Sequence, residues 1–190
     1  MGGIWERQIR TVRNALAPLL NIHGNQLDDE CFRTLLSEVM NIVNSRPLTV
    51  NNLNDPNSME PLTPNHILTL KHKVVVPPPG IFQNADMYCR RRWRRVQHLS
   101  NEFWCRWRKE YLSSMQSRSK WTSPKRNFKV GDVVLLKGDN VPRNIWELAK
   151  VIALHPSDDG LVRKVSVFVG RRQSVLERPV HKLLQLVPVD

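Results

Sequence analysis

Before residue 70 the apolar positions recur at helical spacing. Ile9, Val12, Leu16 and Leu19 form one stripe and predict a helix over residues 4–20, preceded by the permissive pair Gly2-Gly3. Pro18 is expected to kink or stop that helix, and His23-Gly24-Asn25 to form a loop. Phe32, Leu35, Leu36, Val39, Ile42 and Val43 make a second stripe, capped by Asp28 or Asp29 and ending near Asn44, before Pro47. Residues 50–60 are rich in turn formers. Thr63-Pro64 then opens a short helix to Leu70, with threonine as the cap and proline at the first helical position.

Lys71 to Gly80 contains Val74-Val75-Val76-Pro77-Pro78-Pro79 and reads as an extended linker, so a domain boundary is placed across residues 71–84. Beyond it one long helix is expected from residue 85 to about residue 120. Trp93, Val96, Phe103 and Trp107 mark its apolar stripe, widened by Trp104, Tyr111 and Met115, while Arg91, Arg94, Arg95, Arg106 and Lys109 take the opposite side. Interleaved aromatics and arginines can stack bases and neutralise phosphates, but tryptophans at helical spacing read as core. From Asn127 the period becomes that of strands: within Val130–Leu136 a glycine turn leads into an apolar strand, and Trp146–Leu154, Val162–Val169, Ser174–Glu177 and Leu183–Val187 follow. Such an inventory predicts a small antiparallel barrel. The fold class is therefore α+β, divided into residues 1–70, the linker 71–84, a basic aromatic helix in 85–126 and a β-barrel in 127–190.

Charge sharpens the reading. The chain carries a formal net charge of +12, and residues 90–126 hold twelve Lys and Arg against two Glu, so ten of those charges sit in that segment. Density of this kind points to a polyanionic partner. Arg171-Arg172, in a strand-to-strand turn, is the best candidate for a phosphate contact in the barrel, and the clustered arginines could also serve as a nuclear import patch. Cys31, Cys89 and Cys105 are odd in number with no C-x-x-C pair, which excludes a disulfide framework or zinc knuckle and fits free thiols in a reducing compartment. No apolar run approaches the roughly 18 residues that a membrane span needs, and no signal-peptide core is present, so an intracellular protein without a membrane partner is expected.

Glu6, Arg10 and Arg13 stand at i, i+4 and i+7, one face of the first helix. A carboxylate can hold a hard divalent cation and two arginines can fork onto phosphate oxygens, which suits phosphodiester chemistry. The same pattern is also an ordinary helix start, because the macrodipole favours a glutamate there and Glu–Arg pairs are common on helix surfaces.

Gly-Gly-Ile-Trp-Glu-Arg-Gln-Ile-Arg-Thr-Val-Arg, from Gly2 to Arg13, resembles the last catalytic segment of integrases from Pao/BEL-type retrotransposons. The resemblance continues through Asn44–Thr49, Glu60–Leu68, Arg92–Gln97, Phe103–Leu112, Val130–Leu135 and Arg178–Leu183, and so covers nearly the whole chain. It implies that residues 1–70 are the last helices of an RNase H-like catalytic core, whose sheet they normally pack on, and that the C-terminal strands form an SH3-like barrel. It also implies that Glu6 is the third carboxylate of a triad holding Mg²⁺. The two aspartates of that triad lie upstream in the family, and this chain begins at Met1. One carboxylate cannot hold two metal ions or clamp both the attacking and the leaving oxygen.

Together these readings predict a DNA-binding portion of a nuclear integrase, catalytically incomplete alone and needing Mg²⁺ only in the intact enzyme. Its nucleic-acid contacts are assigned to Arg10, Arg13, Arg91, Arg94, Arg95, Arg106, Lys109, Arg171 and Arg172. Two alternatives stand beside it. One is a module that binds other integrase subunits or a chromatin protein. The other is a retroelement remnant without function, suggested by helices whose apolar stripes have lost their sheet.

Overall fold

The computed structural model describes residues 3–50, 61–70, 78–88, 92–115, 127–138, 141–157 and 160–187. The N-terminal helix α1 spans Gly3–His23 and continues through Pro18. Proline removes one donor, but Ala15, Leu19, Val12, Leu16 and Leu20 on either side of it pack into the core, and that burial outweighs the lost bond. The second helix, α2, spans Asp29–Asn44, and its cap is Asp28, whose carboxylate accepts the Cys31 N–H at 2.8 Å. A two-residue pairing of β1 (Thr49–Val50) with β2 (Pro61–Leu62) leads into α3 (Pro64–Thr69). There Thr63 accepts the His66 N–H and His66 Nδ1 accepts the Thr63 N–H, a reciprocal cap.

The long helix is shorter than its periodicity suggests. Asn84–Tyr88 forms a separate 3₁₀ turn, and α4 spans Arg92–Met115. Asp86 causes the break: its backbone N–H donates to Gln83 O while its carboxylate accepts the Gln83 N–H, which closes a tight turn where the pattern reads as continuous helix. The expected extension toward residue 120 lies outside the described residues, as do the turn-rich stretch 51–60 and most of the linker, 71–77.

The stripes on α1 and α2 find their partner in α4. Ala15, Leu19, Leu35, Val39 and Ile42 share one buried core with Val96, Leu99, Phe103, Trp104 and Trp107. Much of the two stripes is therefore covered by α4, while Ile9 and Leu36 stay exposed. Arg95, near the start of α4, donates to Gln26 O just past the end of α1, so α1 and α4 run antiparallel. By contrast Arg92 meets Asp28 at the start of α2 and the Tyr111 hydroxyl donates to Pro47 O beyond its end, so α2 and α4 run parallel.

The C-terminal strands are β3 (Val133–Leu136), β4 (Leu148–Pro156), β5 (Val162–Val169), β6 (Ser174–Pro179) and β7 (Leu183–Val187). They form one antiparallel sheet in the order β6-β5-β4-β3-β7. The molecule is thus α+β. Strand β4 starts later than the sequence pattern suggests, while β3 follows the glycine turn expected ahead of it. Val130-Gly131 is used in a turn with Gly131 at φ 99°, and Trp146 precedes β4 with its ring in the helical core.

Strand alternation feeds two cores. Leu135 of β3 faces the helices together with its cross-strand partners Leu148 and Leu184. Its neighbours Val134 and Leu136 point the other way, into a second core with Ala149, Val151, Val165, Val167, Val169 and Leu183. Every one of those eight residues belongs to a strand.

Candidate nucleic-acid interface

Two helices present cations to solvent. On α1, Glu6, Arg10 and Arg13 are exposed, and so is Arg7, which the spacing argument passed over although it stands one turn before Arg10. On α4, Arg106 and Lys109 are exposed. Arg10, Arg13, Arg106 and Lys109 make no ion pair among the described residues. Arg13 lies roughly 20 Å along the axis from Gln26, and Arg106 roughly 17 Å from Arg95, at 1.5 Å rise per residue. Because Arg95 and Gln26 touch and the helices are antiparallel, the two pairs of cations stand at the same level of the bundle.

The arginines at the start of α4 are placed differently from the expected open basic side. Arg94 donates through Nε to Asp86 Oδ1 at 2.7 Å and through Nη2 to Asp86 Oδ2 and Ile81 O, with its guanidinium over the Phe82 ring. Arg95 donates to Met87 O at 2.8 Å and to Gln26 O at 2.5 Å. Arg92 pairs with Asp28 and Glu30. Together they clamp the 3₁₀ turn, the end of α1 and the start of α2 onto α4. Arg94 and Arg95 thus direct donors into the protein itself, where the sequence pattern places them on an open basic side. Arg91 lies outside the described residues.

At the far end of the sheet Arg171 is exposed, in the turn between β5 and β6. Arg172 beside it is ion-paired with Glu147, just ahead of β4, which offsets its charge. Arg143, which reads as one more scattered barrel cation, is only 4% exposed and reaches Gln97 and Glu38 between the helices. Burial pushes its guanidinium below the ordinary arginine value, with Glu38 opposing that shift.

Trp104, Trp107 and Trp146 are core, whereas Trp5 and Trp93, the latter expected on the buried stripe, are exposed. Trp107 stacks on Tyr111 at 5.2 Å, and Trp146 meets Trp104, Trp107 and Tyr111 edge to face. The Trp104 indole donates to Val141 O at 2.9 Å. Rings engaged on both faces and edges have no surface left for a nucleobase.

Glu6 stands as a single exposed carboxylate, and among the described residues no group of three or more His, Cys, Asp and Glu side chains is placed to hold a metal ion. Glu6 by itself offers at most one oxygen ligand set to a metal centre. Among the described residues no helix is long and apolar enough to cross a membrane.

The clamp predicts acid lability. The hydrogen bond from Arg94, followed by that from the Gln83 N–H, holds the Asp86 carboxyl below the ordinary aspartate value, and the Cys31 N–H does the same for Asp28. A carboxylate with a depressed folded-state value stabilises the fold fully above its unfolded value and loses that contribution as pH falls through the folded one. Thermal midpoints should drop between about pH 4 and pH 2. Asp86→Asn, which cannot titrate, should flatten the drop; an equally steep profile in that variant would assign the acid lability elsewhere.

A family model described as "Family of unknown function (DUF5641)" matches residues 91–186, from the start of α4 to the last strand. No curated protein and no solved structure matches the chain.

Proposed function

Since the chain belongs to the DUF5641 family, whose function is unknown, we propose its role from the placement of its charges: it is a DNA-binding portion of a Pao/BEL-type integrase. The observation that carries this reading is that Arg10, Arg13, Arg106 and Lys109 are exposed, without an ion pair among the described residues, at one level of two antiparallel helices, whereas Arg92 and Arg94 are ion-paired and Arg95 donates to backbone carbonyls. Cations without internal partners are the ones available to replace the counterions of a phosphate backbone. Arg171 adds a fifth contact on the sheet. None of the five is held in a rigid fork that could read base edges, so binding is to the backbone and tolerant of sequence. Glu6 takes part in strand transfer only where a core sheet and its aspartates supply the other ligands of a Mg²⁺ centre, and this portion binds without catalysing. The protein acts in the nucleus. The second core, whose buried residues all lie on strands and which Phe128 and Val180 help to cover, supports a sheet coiled on itself as an SH3-like barrel, because a flat sheet would leave more of that face wet.

One observation favours an interaction module instead. Leu36, Met40, Ile67 and Leu68 on α2 and α3 are exposed, and Asn65 fixes α3 to α2 by donating to Asn41 O and Oδ1. Such apolar residues suit another integrase subunit or a chromatin protein. Two unrelated labelled duplexes of equal length separate the readings. DNA binding through the backbone predicts affinities within about three-fold of each other, unchanged by Met40→Ser with Ile67→Ser. An interaction module predicts no measurable duplex binding at all.

A further inference from the structure

The helices and the sheet meet along a seam where Arg108 and the Trp104 indole donate to the carbonyls of Leu136, Gly138 and Val141, but where the polar groups around Arg143 are poorly matched. The segment between β3 and β4 carries Arg143, Asn144 and Trp146 onto α2 and α4. Arg143 Nη2 donates to Gln97 Oε1 at 2.5 Å, and Glu38 Oε2 lies 3.6 Å away, held toward Gln97 by a 3.0 Å bond from its Nε2. Among the described residues Arg143 Nε and Nη1 have no acceptor, nor do Asn144 Nδ2, Trp146 Nε1 or Trp107 Nε1. All five of these atoms are donors. A buried guanidinium bonded to one neutral amide, with its counter-charge beyond hydrogen-bond distance, opposes the closed arrangement.

The apolar side of the seam works in the other direction. Trp146, Leu135, Leu148 and Leu184 join the helical core, and the sheet keeps a second core of its own when they leave it. We propose that this seam is a releasable latch: the sheet and the helical bundle separate locally, each keeping its own structure, and Arg143 is the group that favours release because opening hydrates it. The latch goes beyond the DNA-binding reading and does not depend on it. It sets whether the Arg171 turn is held at fixed spacing from the cations of α1 and α4.

Native-state hydrogen exchange on the full chain tests this. The indole N–H groups of Trp107 and Trp146 should show protection factors at least about ten-fold below those of the β4–β5 ladder amides, since the seam opens without unfolding the sheet. Arg143→Met keeps the length and apolar stem but asks for no acceptor. It should raise indole protection on the order of ten-fold and leave the gap to the ladder narrower. Equal protection of indoles and ladder in the unmodified chain overturns the latch, because the seam then opens only on global unfolding. So does an Arg143→Met protein that fails to fold or exchanges faster, because Arg143 is then a net support.

Discussion

Replacing Arg10, Arg13, Arg106 and Lys109 together by glutamine should weaken duplex binding by on the order of a hundred- to a thousand-fold at about 0.1 M salt. Each phosphate contact contributes close to 0.9 of a counterion released, and the four substitutions remove that gain at each position. The side chains are exposed and make no ion pair among the described residues, so the unfolding free energy should change by no more than about 0.5 kcal/mol per site. Arg94→Gln with Arg95→Gln should behave in the opposite way. Those guanidiniums hold Asp86, Met87 and Gln26, so the pair should lose thermal stability and keep its DNA affinity while folded. Equal affinities for the fourfold variant and the unmodified chain, measured by fluorescence anisotropy, would remove the two-helix interface.

Trp107→Ala should cost about 3–5 kcal/mol, the largest loss expected from any single substitution in this chain. Trp107 is fully buried where the three long helices meet the sheet. Its ring stacks on Tyr111 and receives the edge of Trp146, so truncation leaves a cavity lined by rigid aromatics that cannot collapse into it. Urea unfolding followed by circular dichroism gives the number. Trp93→Ala, four turns earlier on the same helix, is the internal comparison. That ring is 48% exposed, with Phe82 edge to face against it, so its loss should stay at about 1 kcal/mol. A loss at Trp107 as small as that at Trp93 would mean that the aromatic cluster does not join the two halves.

The two long N-terminal helices were legible because their signals are local. Asp28 caps α2, Thr63-Pro64 starts α3, and the stripes of α1 and α2 face what they must face, a large apolar surface. The identity of that surface was not legible, since α4 lies some fifty residues further on and nothing local specifies the pairing. Arg94 and Arg95 show the same limit for function. Their spacing puts them on the polar side of a helix, but Asp86 and Gln26, which decide their roles, belong to other segments. Arg143 was hidden more completely, because a lone arginine between strands looks like surface until three elements close over it. Arg10 and Arg13 stay on an exposed helix face, where helical spacing alone puts them, and make no ion pair among the described residues.

A salt titration of duplex binding tests the account most directly. With five cations on phosphates, log K should fall linearly with log salt at a slope of about −4 to −5. A slope near zero, or binding too weak to measure at about 50 mM salt, would contradict the claim that these exposed charges form a nucleic-acid interface.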